Sequence, residues 1–160
     1  MVEMNVYGIT LDPVSNMPIV ILKGKESDDI LSIWIGVFEA NAISMKLDEV
    51  FIPRPMTHDL LVNMLESLNA KVEKVIINDL KMNTYYAIIQ LDRDGQKLEI
   101  DGRPSDAINI AIRTDAPIFV NEKVLNEYKN GLQKDLDLDE EEIREWIEAL
   151  KPEDFKKEDV

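Results

Sequence analysis

The patterning of this sequence predicts one order of elements used twice. Displaced by about 67 residues, the second half repeats the first: Ile21-Leu22 falls on Ile88-Ile89, and Gly36 nearly on Gly102. In the same register Glu39-Ala40 falls on Asp106-Ala107, Ile43 on Ile110, Met45 on Ile112 and Lys46 on Arg113. A repeat of this length constrains the fold more than composition does, because whatever the first half builds the second builds again.

The pattern of each half is β-β-β-α-β-α. In the first, Ile- and Val-rich runs predict strands over 5–11, 17–23 and 30–36, with turn residues between them at 12–16 and 24–29. A helix over 37–48, a short strand at Val50-Phe51-Ile52 and a helix from Thr57 to about 69 follow. Pro53-Arg54-Pro55 breaks the backbone before that helix, Thr57 is its expected cap, and Leu60, Leu61, Met64, Leu65 and Leu68 are its expected buried face. In the second half, strands are expected over 72–80, 84–91 and 96–101, with a hairpin turn at Asp92-Arg93-Asp94-Gly95. Ser105 is the expected cap of a helix to 113, a short strand runs over 117–120, and Asn121 caps a helix to 129. The expected fold class is therefore α+β: a domain over 1–130, with repeats at about 4–69 and 72–130, and an acidic linker and helix over 131–160. In that last segment Asp139 reads as an N-cap, and Ile143, Trp146, Ile147 and Leu150 form an apolar stripe at i, i+3, i+4 and i+7.

Charge narrows the partners. The chain carries −14 in 160 residues, and from Asp135 onward 12 acids stand against 4 bases, a net of −8. The preceding 20 acids and 14 bases leave the domain at −6, so any nucleic-acid footprint is local. There is no cysteine, which fits a reducing cytoplasm and removes disulfides, thiolate catalysis and Cys-ligated zinc. The N-terminus lacks the basic and apolar regions of a signal peptide, and no apolar run approaches the roughly 20 residues of a membrane span. A soluble, cytoplasmic protein without membrane association is the expectation.

Two tempting motifs fail. Asp135, Asp137 and Asp139 have calcium-loop spacing, but the sixth position is Glu140 and the twelfth Trp146. Glu127-Tyr128-Lys129 has the acid-x-lysine look of a nuclease core but falls on a helix. No Walker loop, GxSxG or GxGxxG occurs.

Two similar loops remain, Pro53-Arg54-Pro55-Met56-Thr57-His58-Asp59 and Asp101-Gly102-Arg103-Pro104-Ser105-Asp106. Each sets Arg-Pro before a hydroxyl residue and an acid in the first turn of a helix. Structurally, Thr57 and Ser105 cap, Asp59 and Asp106 complement helix dipoles, and the arginines pair with those acids. Functionally, Arg54 and Arg103 clamp a phosphate at helix N-termini, with Thr57 and Ser105 beside it. Glu39, Asp101 and Asp106 would then hold Mg²⁺ or Mn²⁺, and His58, the lone histidine, would donate a proton.

The strings Trp34-Ile35-Gly36-Val37-Phe38-Glu39-Ala40, Arg54-Pro55-Met56-Thr57-His58-Asp59-Leu60-Leu61, Asp101-Gly102-Arg103-Pro104-Ser105-Asp106-Ala107-Ile108 and Ala116-Pro117-Ile118-Phe119-Val120 closely resemble the bifunctional nuclease domain family, once catalogued as a domain of unknown function. The ending Lys151-Pro152-Glu153-Asp154-Phe155 looks like that of bacterial members. The resemblance implies a duplicated fold with a barrel-like mixed sheet flanked by helices, often a homodimer. It also implies nuclease activity, attributed to plant members on both DNA and RNA; it brings no established catalytic set. The expectation is a metal-dependent nuclease of DNA or RNA with catalytic Asp101, Asp106, Glu39 and His58, and no organic cofactor. Its rivals are an oligomeric, non-catalytic binding or regulatory module with structural Arg-Pro loops, and a metal-free active site.

Overall fold

A computed structural model describes the backbone of residues 1–136 and the side chains of residues 1–131. The expected helix with the Ile143, Trp146, Ile147 and Leu150 stripe lies outside the described residues, as does the linker before it. Strands β1 (Val2–Leu11), β2 (Pro18–Gly24) and β3 (Ile30–Trp34) form an antiparallel meander, followed by helices α1 (Val37–Leu47) and α2 (Thr57–Ser67). A second meander, β4 (Ala70–Lys81), β5 (Thr84–Arg93) and β6 (Gln96–Gly102), leads to α3 (Pro104–Thr114), β7 (Ile118–Val120) and α4 (Glu122–Leu136).

All seven strands form one mixed sheet in the order β3-β2-β1-β7-β4-β5-β6. The three-residue β7 joins the two meanders, pairing antiparallel with β1 and parallel with β4. Its register aligns Val2 and Met4 with Val120 and Ile118, and these in turn with Ile77 and Val75. Partners directly opposite share a sheet face, so Met4, Val75, Ile77, Ile118 and Val120 form the centre of the core, with Val2 partly buried at its border and Ala87 and Ile89 of β5 continuing it. Helix α3 packs between α1 and α2 and lies against β4 and β5; it buries Ala107, Ile108, Ile110 and Ala111. Helix α4 closes the core with Val124, Leu125 and Tyr128, reaching both β4 and β3. No helix among the described residues is long and apolar enough to cross a membrane.

The structure corrects three expectations. The sheet is not a closed barrel: β3 and β6 are its two edges. The β-β-β-α-β-α order appears only in the second half, because Val50-Phe51-Ile52 is not a strand. The reason is local. Helix α1 ends in a Schellman cap, in which Glu49 is left-handed (φ 52°) and donates to the Lys46 carbonyl, while Val50 donates to the Met45 carbonyl. The amide of Val50 is thereby used, Pro53 and Pro55 have none to give, and Phe51 stands 88% exposed. Replacing Glu49 by glycine, which adopts this conformation without steric cost, is expected to stabilise the fold by about 0.5–1 kcal/mol in urea unfolding. A loss of stability would show that the Glu49 side chain contributes more than its strain.

The third correction concerns α2. Leu60, Leu61, Met64 and Leu68 were its expected buried face; the structure exposes all four. The helix instead buries His58 and Val62, with Leu65 partly covered.

Candidate functional site

The starts of α1, α2 and α3 each place an acid at the third helical position: Glu39, Asp59 and Asp106. There a carboxylate complements the helix dipole. The N-caps are Gly36, Met56 and Arg103, all with extended backbone. Thr57 and Ser105 are thus not the caps expected of them. Pro104 takes the first position of α3, where its missing N–H costs nothing. Asp59 Oδ2 accepts the Met56 N–H at 2.9 Å, so on α2 the acid satisfies the backbone that the hydroxyl was expected to serve.

These acids converge on two arginines. Arg103 Nε donates to Asp106 Oδ2 at 2.7 Å, and its Nη2 donates to Glu39 Oε1 at 2.7 Å and to Asp106 Oδ1 at 3.1 Å. His58 Nε2 lies 2.9 Å from the same Asp106 Oδ1, its proton set by the tautomer. The chain His58–Asp106–Arg103–Glu39 runs from a buried imidazole, 7% exposed, to a guanidinium whose side chain is 65% exposed. Burial pushes the Asp106 carboxyl up, but donation from Arg103 and then His58 outweighs it and holds the group below the usual carboxylate range. The same bond to Asp106, with that to Glu39, raises Arg103.

The second arginine was not anticipated. Arg113, only 6% exposed at its side chain, pairs through Nε with Asp59 Oδ1 at 2.7 Å. Its other nitrogens donate to the Ala42 carbonyl and to both the backbone and side-chain oxygens of Asn109. Asn109, fully buried, donates through Nδ2 to the Ser105 and Glu39 carbonyls. One polar column therefore ties α1, α2 and α3 together behind the candidate site. Burial alone would raise Asp59, yet the Met56 N–H and Arg113 bring it below its ordinary value. A signal for this column was in the sequence: a lone asparagine between Ile108 and Ile110 in a helix buried on nearly all sides must find internal partners.

Gly36 is the other residue not singled out for the site. A Cβ built there would lie 2.1 Å from Glu39 Oε2, so the carboxylate folds over the bare N-cap. Gly36→Ala is expected to push Glu39 off Arg103 and cost about 1 kcal/mol. The cost should vanish in a Glu39→Ala background, as a double-mutant cycle would read; an equal cost in both backgrounds would refute the contact.

Of the residues singled out from sequence, Glu39, His58, Arg103 and Asp106 meet. Ser105 is buried behind them and gives its carbonyl to Asn109. Arg54 and Thr57 lie exposed, and Arg54 does not pair with Asp59, which Arg113 holds instead. Asp101 is exposed on β6 opposite Ile88 and takes no part in the cluster. Among the described residues, no three His, Cys, Asp or Glu side chains are grouped to hold a metal ion. Glu127-Tyr128-Lys129 sits within helix α4, as its rejection required.

An open mixed sheet under helices, with helix-borne acids gathered on one arginine, defines a small α+β domain carrying a polar site between its helices. The chain belongs to the bifunctional nuclease domain family, whose model matches residues 20–132. It is similar to Uncharacterized protein Rv1829 of Mycobacterium tuberculosis, at 35% identity over 96% of this chain and 98% of that protein. It is also similar to Bifunctional nuclease 1 of Oryza sativa subsp. japonica, at 34% identity over 71% of this chain and 35% of the rice protein. Bifunctional nuclease 1 of Arabidopsis thaliana is 29% identical over 82% of this chain and 41% of its own length. The plant proteins thus extend well beyond the part they share with this chain.

Proposed function

We propose that this chain is a nuclease hydrolysing the phosphodiester bonds of DNA or RNA at the Arg103–Asp106–His58–Glu39 cluster. The observation that carries the reading is the meeting of Arg103, Asp106, His58 and Glu39, drawn from three separate motifs, in a chain of this family. In hydrolysis, water adds to phosphorus, an ester P–O bond breaks, and the leaving oxygen takes a proton. Arg103, held by two carboxylates with most of its side chain in solvent, is placed to receive phosphate oxygens. His58, oriented by Asp106, is the proton donor in this reading.

Dependence on Mg²⁺ or Mn²⁺ does not fit the donor set as it is built. Arg103 holds both oxygens of Asp106 and Oε1 of Glu39, and Asp101 stands apart on β6. A second reading also has an observation behind it. Two carboxylates already neutralise the one guanidinium that would receive phosphate, in a chain that is acidic overall. That balance favours a non-catalytic binding module.

The deciding experiment is cleavage of labelled single- and double-stranded DNA and RNA by the purified chain. It is run with EDTA, Mg²⁺ or Mn²⁺, beside Arg103→Ala and Asp106→Asn. Cleavage lost in both variants supports the nuclease. Cleavage equal in variants and parent, or absent throughout, refutes this site. Activity appearing only with a divalent ion would mean that Arg103 gives way to it.

A further inference from the structure

Between the end of α1 and the start of α2 lies an open cleft of about 470 Å³, a size typical of small-molecule sites. Half-buried Met45, Ile52 and Met56 give it apolar walls, and Phe51 lines it while 88% exposed. Its four charged residues differ in their partners. Asp59 and Arg113 satisfy each other, and the Met56 N–H, Asn109 and the Ala42 carbonyl take most of what remains. Lys46 and Glu49 are exposed, and among the described residues neither forms an ion pair. Glu49 also stands where a glutamate costs stability. Five of the seven non-glycine residues with positive φ among the described residues are Asn or Asp, which tolerate it; Glu49 is not. The cleft adjoins the candidate site. His58 joins the cluster with Asp106, and the next residue, Asp59, lines the cleft.

We propose that this cleft is a nucleotide subsite that takes an unpaired base, guanine before the others, with its phosphate at Lys46. Three side chains divide the ligand. Phe51 offers a ring face on which a base stacks. Lys46 meets the phosphate as a point charge. Glu49 reads the base, because a carboxylate only accepts hydrogen bonds. Guanine alone sets two donors side by side, N1–H and N2–H, to match two carboxylate oxygens. Adenine and cytosine put an amine beside a ring nitrogen whose lone pair a carboxylate repels, and uracil and thymine flank one N–H with carbonyls. Those guanine donors belong to the Watson–Crick edge, so the base must be unpaired and single strands are the substrate class. Base contact also answers the charge. A chain of −14 gains little from phosphates, which leaves stacking to carry much of the binding. That the nucleotide belongs to a strand being cut rests on the nuclease reading; the affinity of the cleft for it does not.

The test is calorimetric titration of the full chain with GMP, AMP, CMP, UMP, guanosine and phenylalanine. GMP should bind about fivefold or more tightly than the other nucleotides, and Phe51→Ala should weaken it about tenfold. Glu49→Gln should erase the preference for guanine, and Lys46→Ala should weaken GMP while leaving guanosine unchanged. All three residues are exposed, so the circular dichroism of the variants should match the parent. In the parent, the methyl resonances of Met45 and Met56 should shift with GMP. No binding at about 5 mM GMP, equal affinity in Phe51→Ala, four nucleotides bound alike, or phenylalanine bound in their place overturns the proposal. None of these probes holds a phosphodiester, so Arg103→Ala should lose cleavage and still bind GMP. Cleavage by a parent that binds no nucleotide would sink the subsite and spare the nuclease; binding without cleavage would keep the subsite and sink the nuclease.

Discussion

Arg113→Ala is expected to destabilise the domain by about 3 kcal/mol, the low end of the range for removing one partner of a buried charge pair. The substitution removes the Arg113 donor from Asp59 Oδ1, from the Ala42 carbonyl and from two oxygens of Asn109. Asp59 is 37% exposed at its side chain and regains water, which keeps the loss from being larger. Urea unfolding of Arg113→Ala, Asp59→Asn and the double variant would resolve the coupling between the two groups. A loss under about 1 kcal/mol would mean that the column merely occupies space between helices that pack without it.

Asp106→Asn should have the largest effect on activity, a fall of about 100-fold or more if the cluster moves protons and orients phosphate. Asparagine keeps the volume but releases Arg103 and changes what His58 can bond. Stability should follow a defined pH course. Asp106 titrates below its ordinary value in the folded state, so its contribution is complete above the unfolded carboxylate range. It is lost as pH falls through the lowered folded value. The stability difference between parent and Asp106→Asn should therefore narrow on acidification from pH 6 toward pH 2. A difference independent of pH would show that the ionised carboxylate contributes nothing.

The strands were the most legible part of the chain. Short Ile- and Val-rich runs between turn residues suffice to mark β2 and β3, and Gly95, at φ 83°, marks the hairpin between β5 and β6. Helix α2 shows where periodicity stops. Spacing found the apolar stripe correctly but could not say which way it faces, because three- and four-residue repeats identify a face and not its partner. Here a narrow strip of His58, Val62 and Leu65 faces the domain instead. The short strand at 50–52 failed because a helix cap took its first amide, a matter of backbone geometry that composition does not carry.

At the site, setting the two helix starts side by side was the better guide. It made Glu39 and Asp106 equivalent, and the two meet on one guanidinium. It could not tell that both would face an arginine. Asp101 is a neighbour of Arg103 in sequence, yet strand pairing with β5 sets it outside the cluster. The pair of Arg113 with Asp59 spans 54 positions, a separation at which only the packing of α2 on α3 decides partners.

The central place of β7 has a consequence for synthesis. Residues 118–120 are nearly the last of the described chain to leave the ribosome, yet they are the seam of the sheet. Until they emerge, the inner edges of β1 and β4 offer unpaired backbone to any strand nearby. The sheet is whole only when these three residues lie between the two meanders, so it cannot be completed before residue 120 has been made.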